Sequence, residues 1–155
     1  MMGSGKTTVG KILAHEINYK FIDSDAITEK QEDKSINNIF RSHGEDYFRE
    51  LEKNLISKFN YKHFVLATGG GMPVFNDNFD NLINIGTIVY LKTSFKELIN
   101  SRISNNSSRP IYTDKKAFEN ILKQRERVYK RAHFIISTDQ KTPNEIVNEI
   151  KSIIQ

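Results

Sequence analysis

Short apolar runs that alternate with helical patterns constrain the fold of this chain most strongly. Residues 19–22, 64–67 (FVLA), 87–91 (TIVYL) and 133–137 (HFIIS) have the pattern of short buried strands. Between these runs the apolar residues recur at three- and four-residue spacing, as they do on one face of a helix. Strands that alternate with helices need crossover connections, which predicts a parallel sheet covered by helices on both faces.

The size and composition indicate one domain over residues 1–155. A chain of 155 residues with 37% apolar and 27% charged residues can bury a core and is typical of a globular protein. The absence of cysteine excludes disulfides and cysteine-bound metals. No apolar run approaches about 20 residues, and the N-terminus is too polar for a signal peptide. We therefore expect a cytoplasmic protein without a membrane partner.

The charges suggest what the chain binds. The net charge is +4, but Lys, Arg, Asp and Glu are interspersed along most of the sequence without a long block of one sign. This distribution favours small anionic ligands over nucleic acid. We expect a monomer that binds small molecules.

A glycine-rich turn directly precedes the first helical pattern. Residues 3–8 (GSGKTT) contain the G-K-T of the phosphate-binding loop G-x-x-x-x-G-K-[ST]. In such a loop backbone N–H groups surround the phosphates, Lys6 reaches the β- and γ-phosphates, and the Thr7 hydroxyl is a ligand of Mg²⁺. The alternative is a glycine-rich tail. The predicted ATP-binding residues here are Gly3, Ser4, Gly5, Lys6, Thr7 and Thr8.

The phosphate-loop pattern is incomplete at its start. Its first glycine, and the strand that leads into the loop, would precede Met1. We expect Met1 to be an internal methionine of a longer reading frame; otherwise the 155-residue product is compromised, because an unfilled strand position leaves two strand edges unpaired.

Two carboxylates follow the first predicted strand. If the strand pairing continues to this point, Asp23 and Asp25 face the same way. One of them can then hold Mg²⁺ through water while the other faces an acceptor hydroxyl. A solvated turn is the alternative.

Two further segments carry residues suited to bind an anionic acceptor. Arg49 and Glu52 are three residues apart on a predicted helix, where a carboxylate can orient a guanidinium for bidentate binding; a surface salt bridge is the alternative. Arg125 continues an apolar row on a later helix and should face inward more than Arg127, Lys130 and Arg131 do.

A glycine run and a polar loop complete the set of candidates. Residues 69–71 (GGG) follow a buried strand, which suggests close approach of the backbone to a ligand rather than a tight turn alone. Arg109 lies in the polar segment 104–114 (SNNSSRPIYTD), which we interpret as a lid. An arginine there can stabilise transition-state charge on closure, and a plain loop arginine is the alternative.

The ordered set of these motifs resembles the shikimate kinase family over nearly the whole chain. The matching stretches are GSGKTT, FIDSD, SINNIF, GEDYFRELE, ATGGG, VYLK, the RP of SSRPIY, and QRERVYKRAHF. The resemblance implies a three-layer α/β P-loop kinase fold with a five-stranded parallel sheet, whose first strand is missing here. It also implies an acceptor-binding segment at about 26–55 and a lid at about 104–114.

The resemblance further implies the reaction and the residues that carry it. The reaction is ATP- and Mg²⁺-dependent phosphorylation of the 3-hydroxyl of shikimate, in the chorismate pathway of aromatic amino acid biosynthesis. Asp25 is then the base that contacts shikimate, and Asp23 lies near Mg²⁺. Arg49 and Arg125 clamp the shikimate carboxylate, and Glu52 orients Arg49.

The remaining predicted contacts also follow from the resemblance. Lys6 and the lid residue Arg109 act on the phosphates, and together with Asp25 they form the predicted catalytic set. The other predicted shikimate contacts are Gly70 and Gly71 as backbone donors and Ile36, Phe40 and Phe48 as an apolar wall, while Arg102 and Pro143 flank adenine.

Two other functions fit parts of the same pattern. A kinase of another small anionic acceptor, such as gluconate, would use the same phosphate loop and arginines. A non-catalytic or truncated nucleotide-binding domain would retain the loop alone. Turnover with a panel of acceptors tests the first alternative, and an in-frame apolar strand ending in glycine, encoded upstream of Met1, would argue against the second.

Overall fold

Helices and short strands alternate along the whole chain. The computed structural model describes residues 1, 3–104 and 115–154, and the side chains of residues 101–104 lie outside this description. The helices are α1 (Lys6–Glu16), α2 (Ser24–Glu32), α3 (Ile36–Ser57), α4 (Asn78–Ile85), α5 (Phe95–Ser104), α6 (Lys115–Tyr129) and α7 (Pro143–Ile154). The strands are β1 (Lys20–Asp23), β2 (Phe64–Ala67), β3 (Val89–Lys92) and β4 (Phe134–Ser137), and a 3-10 turn spans Met72–Val74.

The strands form two parallel pairs. β1 pairs with β2, with Lys20 opposite Phe64, and β3 pairs with β4, with Val89 opposite Phe134. Each pair is connected through helices, as parallel strands require. The predicted α/β class with parallel strands is confirmed.

A cavity of about 490 Å³ lies between the two pairs. Strands β2 and β3 both line it, together with residues of α1 and α7. The resemblance implies a further strand in the sheet, and within the described part of the chain no strand lies between the two pairs. The cavity therefore separates the sheet into its two halves.

The core consists of several apolar clusters that follow the helical periodicity. One joins the inward faces of α1 and α7 to β3 and β4; its buried members are Val9, Leu13, Leu91, Ile136, Ile146, Val147 and Ile150. A second lies under α5 and α6 and contains Met1, Tyr90, Leu98, Phe118 and Tyr129. A third belongs to α3 and is built on Ile36, Ile39 and Phe48.

Local signals set the start and the kink of α3. The Ser35 hydroxyl caps the helix by accepting a hydrogen bond from the Asn38 N–H at 3.3 Å, as the sequence predicts. Gly44 interrupts the helix with φ 83° and ψ 178°, a conformation that is almost exclusive to glycine. The helix therefore has two arms, and Arg49 and Glu52 lie on the second.

The first turn of α2 differs from the sequence-based expectation. β1 ends at Asp23 and α2 begins at Ser24, so the strand alternation does not reach Asp25. The expectation of two carboxylates on one face of a strand is therefore wrong. The cause is the Asp23 side chain, which caps α2 by accepting hydrogen bonds from the N–H groups of Asp25 and Ala26 at 3.0 and 3.4 Å.

Within the described residues, none of the helices combines the length and the apolar character that crossing a membrane requires.

Candidate active site

The phosphate loop owes its curvature to two glycines. Gly3 and Gly5 have φ values of 82° and 77°, in the left-handed region that favours glycine, and α1 begins directly after them. The Met1 carbonyl accepts hydrogen bonds from the Ser4 hydroxyl at 2.9 Å and the Lys6 ammonium at 2.5 Å. The lysine is thereby held against the loop, where a phosphate group bound by the loop would meet its charge.

A hydroxyl and a carboxylate meet beside this loop. The Thr7 hydroxyl donates to Asp23 Oδ2 at 3.0 Å, while Asp23 Oδ1 caps α2. The described residues contain no cluster of three or more His, Cys, Asp or Glu side chains that could hold a metal alone. One hydroxyl and one carboxylate fit Mg²⁺, which usually keeps several waters and shares its site with substrate phosphates.

Asp25 faces a different partner, the glycine loop after β2. A Cβ added to Gly69 would lie only 2.5 Å from Asp25 Oδ1 and 3.4 Å from Glu52 Oε1. The Gly69 N–H donates to the Ser24 hydroxyl at 2.9 Å, which joins this loop to the start of α2. Gly69 and Ser24 are thus site residues that the sequence-based analysis missed, although the glycine run itself was a signal for the first.

Arg49 is buried, with 8% of its surface exposed, and two carboxylates hold it. Its Nη1 donates to Glu52 Oε2 at 2.6 Å, and its Nε and Nη2 donate to Glu45 Oε1 at 3.0 and 2.7 Å. The alternative of a surface salt bridge is therefore wrong. Glu45 precedes Arg49 by four residues, so helical spacing could have revealed it.

Aromatic rings and a glycine complete the surroundings of Arg49. The guanidinium carbon lies 4.1 Å from the centre of the Phe75 ring and 5.2 and 5.8 Å from those of Phe48 and Phe40. A Cβ on Gly71 would lie 2.7 Å from the same carbon. The guanidinium therefore lies flat against the backbone at Gly71, in space that only a glycine leaves open.

Glu52 is a carboxyl group with unusual surroundings. Burial raises its pKa to about 7; Arg49 opposes the shift, Asp25 adds to it, and Arg125 opposes it. Its Oε1 is buried and has no hydrogen-bond partner among the described residues. Burial thus opposes ionisation of Glu52, so Glu52 neutralises the Arg49 charge less completely than an exposed carboxylate would, which favours an additional anion beside Arg49.

The other residues predicted to contact the acceptor are at least partly buried, or belong to the glycine loop. Arg125 is half-buried, whereas Arg127, Lys130 and Arg131 on or beside the same helix are exposed, as the sequence predicts. Ile36 and Phe48 are buried, Phe40 is half-buried, and the two rings lie 4.8 Å apart. The Tyr129 hydroxyl donates a hydrogen bond to the Gly70 carbonyl, another contact that the sequence-based analysis missed.

Of the three remaining residues predicted to contact the nucleotide, the structure describes the side chain of one. Pro143 is the first residue of α7 and is exposed. Arg102 belongs to α5, but its side chain lies outside the described residues. Arg109 and residues 105–114 of the predicted lid lie outside them as well.

The residues around the phosphate loop and those around Arg49 lie at the same edge of the sheet. Asp23 ends β1, and the glycine run follows β2 after one residue, so both belong to the carboxyl ends of paired strands, where α/β folds bind their ligands. A loop for phosphate on one side and a buried arginine on the other define the class of protein: a P-loop kinase for a small anionic acceptor.

Comparison with known sequences narrows this class. The profile of the family described as shikimate kinase matches residues 2–155. The shikimate kinase of Persephonella marina is 40% identical over 151 residues, which cover 96% of this chain and 92% of that protein. That of Clostridium botulinum strain Langeland is 43% identical over 137 residues, covering 86% and 81%. The chain belongs to the shikimate kinase family.

Solved structures agree with this assignment. The chain is similar to the shikimate kinase of Bacteroides thetaiotaomicron, with a TM-score of 0.90 and 29% identity over 99% of this chain and 93% of that one. It is also similar to the Acinetobacter baumannii enzyme in complex with shikimate, with a TM-score of 0.91 and 32% identity over 99% and 88%. The predicted fold class, shikimate kinase function and use of ATP with Mg²⁺ are thereby confirmed.

Proposed function

We propose that this chain transfers the γ-phosphoryl group of ATP to the 3-hydroxyl of shikimate with two half-sites. The nucleotide half-site is the phosphate loop with Thr7 and Asp23, and the acceptor half-site is the pocket around Asp25, Arg49 and the glycine loop. Membership of the shikimate kinase family supports the substrate pair. The single observation that carries the proposal is the buried Arg49, which two carboxylates and three aromatic rings hold beside the glycine loop. A fixed guanidinium in such a pocket suits bidentate binding of a carboxylate, and shikimate carries one.

On the nucleotide side, the loop from Gly3 to Thr8 surrounds the phosphates and Lys6 binds the transferred group. Thr7 and Asp23 would hold Mg²⁺, because their oxygens lie 3.0 Å apart beside the loop. Bound Mg²⁺ would supply charge neutralisation on the phosphate oxygens. We assign Arg109 to the phosphates and Arg102 and Pro143 to the adenine on the family resemblance.

On the acceptor side, Arg49 and Arg125 clamp the carboxylate, and the N–H groups of Gly70 and Gly71 donate to the ring substituents. The apolar wall of Ile36, Phe40 and Phe48 excludes water from the pocket. Asp25 takes the proton of the acceptor hydroxyl, because it faces the glycine loop while Asp23 is engaged in capping α2 and in the bond with Thr7.

We also propose that the chain works as a single cytoplasmic domain, with the acceptor-binding segment at about 26–55 and the lid at about 104–114. Among the described residues, the phosphate loop, Asp23, Asp25, Arg49 and the glycine loop are joined by contacts within one chain, which supports a reaction that does not need a second copy. Light scattering after size-exclusion chromatography should give a mass near 17.9 kDa. A dimer at micromolar concentration would contradict the monomer.

Turnover with a panel of acceptors tests the proposed reaction. The protein is incubated with ATP and Mg²⁺ and with shikimate, gluconate or a nucleoside monophosphate, and the products are identified by ³¹P and ¹H NMR. We expect one new phosphomonoester, on the 3-hydroxyl of shikimate. Lys6→Ala serves as the matched control: it should remain folded and lose most of this activity.

Two outcomes would contradict the proposal. Preferred phosphorylation of another acceptor would assign the chain to a different substrate. Nucleotide binding without transfer to any acceptor, in protein with a cooperative thermal transition, would indicate a non-catalytic domain.

A further inference from the structure

The glycine loop that follows β2 accepts a hydrogen bond from one side-chain hydroxyl. Residues 69–71 are all glycines, so side chains do little to restrict rotation of the peptide planes between them. Three polar groups of the loop have partners: the Gly69 N–H binds Ser24, the Gly71 carbonyl accepts from the Val74 N–H at 2.8 Å, and the Gly70 carbonyl accepts from Tyr129. Ser24 and Val74 belong to α2 and to the 3-10 turn, whereas Tyr129 is the last residue of α6, the helix that also carries Arg125.

The partners define which groups of the loop remain for a ligand. Among the described residues, no hydrogen bond uses the N–H of Gly70 or of Gly71. The Gly70 carbonyl and the Gly71 N–H belong to one planar trans peptide, in which they point in opposite directions. A bond that holds the carbonyl on the side of Tyr129 therefore holds the Gly71 N–H on the opposite side.

Tyr129 is itself firmly placed. It is 6% exposed, and its ring packs on Tyr90 of β3 with the ring centres 5.1 Å apart. Its hydroxyl also lies 3.6 Å from Met1 Sδ, but it has a single proton, and a carbonyl oxygen is a stronger acceptor than a thioether. The proton is therefore donated to Gly70.

We propose that Tyr129 is a positioning residue for the acceptor: its hydroxyl fixes the 70–71 peptide so that the Gly71 N–H is presented to shikimate. The inference rests on the proposed function, because it takes shikimate as the ligand of the glycine loop. It adds a role for the end of α6, one helical turn after Arg125, so that one helix supplies an acceptor ligand and also orients a second donor.

Tyr129→Phe tests this role, and Tyr90→Phe is the matched control. Each variant loses one phenolic oxygen from the same aromatic cluster, but no described hydrogen bond joins the Tyr90 hydroxyl to the glycine loop. Without the hydrogen bond, Tyr129→Phe should bind shikimate about three- to tenfold more weakly by calorimetry and show a KM raised by the same factor. Its kcat, and its affinity for ADP with Mg²⁺, should stay close to those of the wild type and of Tyr90→Phe.

A second measurement reports on the peptide itself. In ¹⁵N-labelled wild-type protein, addition of shikimate should shift the Gly71 amide resonance, and in Tyr129→Phe this shift should be much smaller at saturating shikimate. A structural role alone would instead lower the melting temperature and weaken nucleotide binding as well. Wild-type protein that binds no shikimate would overturn the proposed function and this inference together.

Two results would overturn the role of Tyr129 while leaving the proposed function intact. The first is that wild-type protein binds shikimate and Tyr129→Phe binds it equally well, with the same Gly71 shift. Equal losses in Tyr129→Phe and Tyr90→Phe would likewise overturn it, because they would assign the effect to the aromatic cluster.

Discussion

At the scale of single residues, the site requires glycine at two positions where any side chain would collide with a functional group. The guanidinium of Arg49 occupies the space that a Cβ on Gly71 would need, and Asp25 does the same at Gly69. Neither glycine has a positive φ among the described backbone angles, so the requirement at both positions is close approach rather than backbone conformation. A substitution of Gly69 should therefore displace Asp25, and a substitution of Gly71 should displace Arg49, before either alters the backbone.

Gly71→Ala should weaken shikimate binding at least about tenfold, because the new methyl group displaces the Arg49 guanidinium from its buried position. Gly86→Ala is the control, since a Cβ there meets nothing within 4 Å. Calorimetric titration with shikimate measures both variants, and ADP with Mg²⁺ should bind both normally. Equal shikimate affinity in Gly71→Ala and Gly86→Ala would disprove the close packing of Arg49 against the loop.

Asp23 and Asp25 should be separable by magnesium. Asp23→Asn keeps a side-chain oxygen that can cap α2 but loses the charge beside Thr7, so it should need more Mg²⁺ for half-maximal activity. Raising the concentration of Mg²⁺ should partly restore Asp23→Asn and leave Asp25→Asn impaired. Initial rates over a magnesium titration provide the test, and the reverse pattern would mean that the two roles are exchanged.

At the scale of elements, α3 shows how a local break positions a functional group. Gly44 has a conformation open only to glycine and a surrounding space with no atom within 4 Å of an added Cβ. The break divides the capped first arm, with Ile36 and Ile39, from the second arm, with Arg49 and Glu52. Both arms then contribute to one pocket, which a straight helix of this length would not allow.

Gly44→Ala should lower the free energy of unfolding by about 1–3 kcal/mol, because alanine is strained at this φ and ψ although space is available. Gly86 again provides the comparison: it also has open space but an extended backbone with φ 173°. Urea denaturation of the two alanine variants measures the difference. If both lose less than about 0.5 kcal/mol, the kink is not a strained position.

Sequence periodicity predicted the elements well and the contacts of the site only in part. β2 and the start of α7 coincide with the predicted segments, since FVLA and Pro143 are strong local signals. The conditional expectation that strand pairing reaches Asp25 failed, because Asp23 caps α2, which begins at Ser24. The contact of Phe75 with Arg49 joins segments 26 residues apart in the chain, and no local pattern encodes it.

At the scale of the whole molecule, the two strand pairs face a common cavity. The Lys20 N–H donates to the His63 carbonyl at 2.9 Å, so in β2 the backbone groups of Val65 face β1 and those of Leu66 face away. The Phe134 N–H donates to the Ile88 carbonyl at 3.2 Å, which by the same alternation turns Tyr90 toward β4 and Leu91 away from it.

Hydrogen exchange in the 155-residue chain should follow this alternation. The amides of Leu66 and Leu91 should exchange at least about tenfold faster than those of Val65 and Tyr90, because only the latter pair donate to a neighbouring strand. Amide exchange resolved by NMR gives each rate separately. Equal protection of all four amides would show that the edges facing the cavity are paired.

The sequence predicted the alternation of strands and helices and the motifs of both half-sites. The contacts that join these motifs to the glycine loop could be identified only from the structure. GSGKTT and DSD are local motifs that can be read directly from the chain, although Asp23 and Asp25 do not share one face of a strand as expected. The hydrogen bonds that join the start of α2 and the end of α6 to the glycine loop, from the Gly69 N–H to Ser24 and from Tyr129 to the Gly70 carbonyl, span 45 and 59 residues. Such contacts arise from the docking of whole elements and leave no periodic trace in the chain.

Transfer of phosphate to shikimate by Asp25 and the two half-sites can be measured in a single-turnover experiment. Enzyme in excess over shikimate is mixed with ATP and Mg²⁺, quenched at short times, and assayed for shikimate 3-phosphate. Wild-type protein should form the product, and Asp25→Asn should form it about 10²- to 10⁴-fold more slowly, with unchanged affinity for ATP. Product formation at the wild-type rate in Asp25→Asn would exclude Asp25 as the base, and absence of product in folded wild-type protein that binds both substrates would exclude phosphate transfer to shikimate.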